Sequence, residues 1–263
     1  VNTGFGKLSS VSIQKSDIKQ LQLNLVRSHA SGLGKPFDNG IVRVIMVLKI
    51  LTWAKGFSGV RPKLVQHMIG MFNKDILPVI PSLGSVGASG DLAPLSHMAL
   101  ALIGEGSVWD DDGGVCQTNQ LLEQRGLIPV SLGAKDGLSL INGTAQMCSF
   151  LVNSEQKLSN LLLMADLIAC TSMEARECSI NPMDKRVHDA RPHPGQSLVA
   201  DRITQVMKHS GILAAHSDCD RVQDAYSFRC APQVHGPIIE ILNWSLRFNT
   251  GFFDEQFFSI AFN

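Results

Sequence analysis

A chain of 263 residues has room for one large domain or two modest ones, and 44% apolar against only 17% charged residues excludes general disorder. Its 23 basic and 23 acidic side chains cancel, so no chain-wide field draws in nucleic acid or anionic lipid; a small molecule or another protein chain is the expected partner. The low charge also predicts that other subunits cover some apolar surface.

In chain order, the first helix is expected from Ser16-Asp17, where Asp17 and Gln20 have the spacing of an N-terminal capping pair. Ile18, Leu21 and Leu25 recur on one face, which His29 extends. Ile41 to Leu51 reads as a buried helix ended by Gly56 and Gly59. Pro78, Pro81 and Gly84 then mark an irregular connection into Gly84-Ser85-Val86-Gly87-Ala88-Ser89-Gly90, after which Asp91 is placed to cap a helix through roughly Ile103. Asp111-Asp112-Gly113-Gly114 predicts a hairpin turn. Turn residues between Gly137 and Gly143 suggest a boundary, and from Gly143 a long helix is predicted on Leu158, Leu161, Leu162, Ala165 and Ile168. The fold class is therefore mainly α with a small β excursion.

Six cysteines (Cys116, Cys148, Cys170, Cys178, Cys219, Cys230) form no C-x-x-C pair, which suits a reduced, cytoplasmic protein. No uninterrupted apolar run of membrane-spanning length is expected; the richest stretch, Leu92 to Ile103, is broken by Pro94, Ser96 and His97. The chain opens on Val1 with nothing like a signal peptide, so the expectation is a sequence lacking its true beginning.

The glycine-rich segment has rival readings. A phosphate loop needs Lys-Ser or Lys-Thr after its last glycine, where Asp91 stands and would repel the phosphates. The dinucleotide fingerprint fails too, because the spacing is G-x-x-G-x-x-G with no strand upstream. A plain flexible turn stays open on spacing alone. His188 and His193 lie five apart across Pro192 without a zinc pattern, and no metal is expected. Gln223, Tyr226 and Arg229 follow at three-residue steps and can share an edge of a helix or turn, with Arg229 offering a cationic fork for a carboxylate.

The run from Gly84 through Ala88-Ser89-Gly90-Asp91-Leu92-Ala93-Pro94-Leu95 resembles the signature of the aromatic amino acid ammonia-lyase family. Further segments resemble its landmarks in the same order: Val1 to Gly6, Gly56-Phe57-Ser58-Gly59, Leu140 to Thr144, Arg191 to Gln196, and Val222 to Cys230. The resemblance implies that Ala88, Ser89 and Gly90 cyclise into a methylidene-imidazolone (MIO) electrophile, with no external cofactor. It also implies that Asn142 and Tyr226 act beside that group, and that His29, Gln223 and Arg229 bind substrate, Arg229 through the carboxylate. Arg27-Ser28-His29-Ala30 resembles the histidine-specific branch, implying L-histidine as substrate, urocanate and ammonia as products, and a role in histidine catabolism. A phenylalanine or tyrosine lyase, or an aminomutase, is the alternative chemistry.

The implied organisation is an electrophile-bearing N-terminal domain (1–140), the opening part of a central bundle of long helices (141–240), and a tail (241–263) that departs from the family and is crowded with Phe252, Phe253, Phe257 and Phe258. The family's homotetramers build each active site from several subunits. Its base is a tyrosine two residues ahead of the position matching Val1, so impaired turnover is expected, as is the further alternative of an inactive fragment that only joins intact lyase subunits.

Overall fold

A computed structural model describes residues 10–87, 90–218 and 220–250, with side chains to Arg247. The motif from Val1 to Gly6, Ala88, Ser89, Cys219 and the tail from Gly251 lie outside the described residues. Of those described, residues up to Leu151 form one compact unit and those from Val152 a second.

The first unit runs α1 (Ile18–His29), β1 (Leu33–Pro36), α2 (Asn39–Ala54), α3 (Pro62–Asn73), β2 (Pro81–Leu83), α4 (Leu92–Leu102), β3 (Ser107–Trp109), β4 (Val115–Gln117), α5 (Thr118–Gln124), α6 (Asp136–Ile141) and the start of α7 (Ala145–Ala175). Helices α2 and α4 are apolar almost all round, which is the pattern of a helix enclosed by others, and most of their side chains are buried. Pro62 occupies the first turn of α3, where its missing N–H costs nothing. The expected hairpin forms as β3 paired antiparallel with β4. A second antiparallel pair, β1 with β2, joins the segment after α1 to the entry of the glycine-rich loop.

Two details depart from the sequence reading. Asp17 does not cap α1; its carboxylate accepts from Ser16 Oγ (3.0 Å) and its backbone is already helical. The buried face of α1 carries Gln22 and Val26 rather than Leu21 and Leu25, because Gln22 Oε1 accepts the Leu138 N–H of α6 at 3.3 Å and so belongs on the inner side.

The second unit contains the rest of α7, then α8 (Lys185–Asp189), α9 (Pro194–Met207), α10 (Gly211–Ala215), α11 (Tyr226–Arg229) and α12 (Ala231–Thr250). Its core joins Met173 of α7, Val199 and Ile203 of α9, and Ile239 and Leu242 of α12. His188 is buried with one ring nitrogen 3.1 Å from the Pro182 carbonyl and the other 2.9 Å from Gln196 Nε2, so both its nitrogens serve packing.

Helix α7 is not an uninterrupted apolar run, since Asn153, Glu155, Lys157 and Asp166 break it, but it is apolar on average. The stretch Asp136–Ala175 contains an 18-residue window of mean hydropathy 1.2, enough by length and composition to cross a membrane. Within it Asp166 is buried and paired with Arg202 (3.3 Å) and His235 (2.8 Å) in the second unit, while Leu161, Met164 and Ile168 stay more than half exposed.

Candidate active site

The glycine-rich loop is gripped at both ends. On its entry side, a Cβ on Gly84 would sit 3.1 Å from both Ala93 Cβ and Gly32 Cα, so the loop lies directly against the segment that follows His29. His97 of α4 reinforces this contact, its Nε2 accepting the Gly32 N–H at 3.0 Å. That bond requires an unprotonated Nε2, consistent with burial pulling the His97 pKa below its ordinary value. On the exit side, Gly90 has φ +100°, and a Cβ there would lie 2.5 Å from the Gly143 carbonyl oxygen. The same oxygen accepts the Asp91 N–H at 2.8 Å.

Asp91 is fully buried and does not cap α4. Its Oδ2 accepts the Gln146 and Met147 N–H groups at 2.9 and 3.1 Å, so it caps α7, and its Oδ1 accepts Ser85 Oγ at 2.9 Å. These are orphan amides of a helix N-terminus, where a carboxylate is also favoured by the helix dipole. One side chain thus ties the loop to the start of α7.

Asn142 ends α6 in an extended conformation, with its carbonyl taken by Lys49 Nζ and its exposed side-chain amide without a hydrogen bond among the described residues. The Gly56 to Gly59 motif supports α6 from behind, since Ser58 O accepts Ser139 Oγ at 3.1 Å. His29 is half-buried at the end of α1, its Nδ1 2.8 Å from the Leu25 carbonyl and 3.1 Å from Ser28 Oγ, and its Nε2 has no hydrogen bond among the described residues. The first unit therefore gathers the His29 segment, Gly90 and Asn142 around one loop.

Lys49 and His97 are the residues that sequence reasoning passed over. Lys49 was legible in principle, as one of two cations, with Arg43, inside the apolar run of α2. It is 1% exposed, its Nζ donates to Asn142 O, and it lies 5.7 Å from the Trp53 ring centroid. Burial lowers its pKa from 10.5 to about 7, with the Asp91 carboxylate opposing the shift. Between those two values the unfolded chain holds more protons than the folded one, so stability rises with pH. Relative to Lys49→Met, the wild-type chain is expected to gain on the order of 1 kcal/mol per pH unit from pH 7 towards pH 10. Urea unfolding of both chains across that range checks it, and parallel profiles would refute it.

In the second unit, Gln223 and Arg229 line one cavity of about 420 Å³, together with Cys178, Arg221 and Asp224. Asp224 builds its wall: burial pushes its carboxyl up, but the Ser179 N–H (2.7 Å) and Arg221 hold it below its ordinary value. Arg229 spends Nε on the Asp224 carbonyl at 3.0 Å, which keeps its two terminal nitrogens available for a carboxylate. Tyr226, largely exposed, lines an adjoining cavity with Arg229, whose guanidinium carbon is 5.3 Å from the Tyr226 ring centroid. The three-residue steps thus put Gln223 and Arg229 on one recess and Tyr226 on its neighbour.

The profile of the aromatic amino acid lyase family matches residues 1–248. The chain belongs to that family. The match continues past Glu240, so the departure from the family comes later than the sequence reading placed it. The histidine ammonia-lyase of Gloeobacter violaceus is 44% identical over 245 residues, 93% of this chain and 48% of that protein. The crystal structure of histidine ammonia-lyase from Trypanosoma cruzi superposes with a TM-score of 0.80 at 35% identity, covering 89% of this chain and 43% of that one. A tyrosine aminomutase from Streptomyces globisporus superposes with a TM-score of 0.83 at 36% identity, covering 92% and 49%. The fold is therefore shared across chemistries, and the chain spans about half the length of the relatives it matches.

Proposed function

We propose that this chain carries the electrophile-forming part of a histidine ammonia-lyase, which converts L-histidine to urocanate and ammonia in the cytoplasm as a step of histidine catabolism. The observation that carries the reading is the cradle at Gly90: the Gly143 oxygen occupies the space of any Cβ, so this loop can pass only as glycine. A ring closed through the residue-90 nitrogen has that same requirement. Closure joins Gly90 N to the Ala88 carbonyl carbon; the Ala88 oxygen leaves as water with the Gly90 and Ser89 amide protons. Ser89 then loses its hydroxyl and α-proton as a second water, leaving an exocyclic alkene. No oxidant or reductant is needed.

The methylidene-imidazolone would supply an electron sink for expelling ammonia, which ordinary side chains cannot provide. In the first unit, His29 would contact the imidazole and the amide of Asn142 would orient groups near the ring; in the second, Arg229 would take a carboxylate, with Gln223 and Tyr226 lining the recesses beside it. The histidine ammonia-lyase names among relatives at 44% identity favour histidine over phenylalanine or tyrosine.

A specific observation also supports association with further lyase subunits. Leu161 (64% exposed), Met164 (53%) and Ile168 (60%) form an apolar stripe on α7, the kind of face a homotetramer would cover. A chain that only joins intact subunits is the second reading on the same ground.

The deciding experiment is an intact-peptide mass across Ala88 to Gly90. Loss of two waters is expected in the wild-type chain and in none of Ser89→Ala, which lacks the leaving hydroxyl. Full mass in the wild type refutes ring formation. Urocanate production from histidine, measured on the chain alone and mixed with a full-length lyase, separates the first reading from the second.

A further inference from the structure

We propose that Lys49 is a positioning residue for electrophile formation: it clamps the Asn142-Gly143 turn against which Gly90 and Asp91 are seated. This rests on the reading that Ala88, Ser89 and Gly90 cyclise. The chain of contact is short. Lys49 Nζ donates to the Asn142 carbonyl, and the next residue, Gly143, passes so near that a Cβ on it would lie 3.3 Å from Nζ. Gly143, at φ +137°, then turns its own carbonyl towards the loop, where it receives the Asp91 N–H and fills the Cβ space of Gly90. The ammonium also faces the buried Asp91 carboxylate electrostatically, and that carboxylate holds Ser85 at the far side of the loop. Both flanks of the cyclising tripeptide therefore refer back to one buried side chain.

A purely packing role does not account for it. A methionine would fill the same volume among Ile45, Met46 and Leu48 without the cost of burying an ammonium. What methionine lacks is the donor that fixes the Asn142 carbonyl. Closing a five-membered ring from a peptide demands that residues 88 and 90 be held close before any bond forms, and a turn free to shift would relax that approach.

The test compares the 263-residue wild-type chain with Lys49→Met and Lys49→Arg by two readouts. One is the fraction of the residue 88–90 peptide that has lost two waters. The other is amide hydrogen exchange at Asp91, Gln146 and Met147, with Trp109 of the hairpin as internal reference. Lys49→Met is expected to lower the dehydrated fraction about tenfold and to speed exchange at Asp91 about tenfold, with Trp109 and the circular dichroism spectrum unchanged. Lys49→Arg, which keeps charge and donors, should recover most of both.

Full ring content in a folded Lys49→Met chain, or unaltered exchange at Asp91, overturns the proposal. Should the wild type show no water loss while Asp91 exchange still responds to Lys49→Met, the cyclisation reading falls and the clamp on the turn stands. If Lys49→Met does not fold, Lys49→Gln takes its place: ring loss in a folded Lys49→Gln chain supports the proposal, and wild-type ring content refutes it.

Discussion

Gly90→Ala is expected to leave residues 88–90 at full peptide mass. Two obstacles act independently. At φ +100° an L side chain is strained by roughly 1–3 kcal/mol wherever it stands. In addition, the new Cβ would lie 2.5 Å from Gly143 O and 3.2 Å from Gly143 C and N, all backbone atoms that cannot rotate aside. Nor can the Gly143 segment withdraw, since Lys49 holds the preceding carbonyl and Asp91 N–H holds its own. The loop must move instead, which displaces the Gly90 nitrogen that ring closure requires. An accompanying stability loss of about 2–4 kcal/mol is expected in urea unfolding. Gly87→Ala is the control: φ is +70° and the nearest atom is Met147 Sδ at 3.6 Å, so strain without collision should cost about 1 kcal/mol and spare the ring. Two waters lost from Gly90→Ala would sink the cradle argument.

What the sequence made legible was local. The apolar runs of α2 and α4 and the Asp111 to Gly114 turn announce their structure because side-chain period and turn chemistry act over a few residues. The motif order from Gly84 to Cys230 likewise carried the family. What stayed hidden depends on partners far along the chain. Asp91 stands at a helix start in every local respect, yet its carboxylate goes to amides 55 and 56 residues away. Local preference names a capping residue without naming the helix it caps. Gln22 displaced Leu21 and Leu25 from the inner face of α1 for the same reason, since its acceptor is wanted by a distant N–H. Lys49 was visible as an anomaly in an apolar run, but its meaning needed Asn142, 93 residues on. In the second unit the short helix α11 follows from three-residue spacing, whereas the recess beside Arg229 exists only because Asp224 accepts from Ser179, 45 residues back.

A stability effect as large as that of Gly90→Ala is expected at a position with no part in the chemistry. Gly195 in the first turn of α9 and Gly236 inside α12 bring two helix backbones into contact, and Glu240 of α12 accepts the otherwise unpartnered Gly195 N–H at 2.8 Å. A Cβ on Gly236 would lie 2.6 Å from Gln196 Cα and 2.8 Å from Gly195 C, again backbone. Gly236→Ala must therefore push the helices apart and loosen Val199 and Ile203 from Ile239 and Leu242, which share one core. Helix propensity works the other way, favouring alanine by about 1 kcal/mol, so the packing cost exceeds any net loss by about that much. We expect a loss of about 3 kcal/mol in urea or thermal unfolding. Gly211→Ala at the start of α10, where a Cβ meets nothing within 4 Å, should be neutral or slightly stabilising. Equal stability of the two variants would mean that α9 and α12 do not cross so closely. Because α11 runs into α12 at Cys230, the same displacement should carry Arg229 with it and weaken carboxylate binding before the unit unfolds.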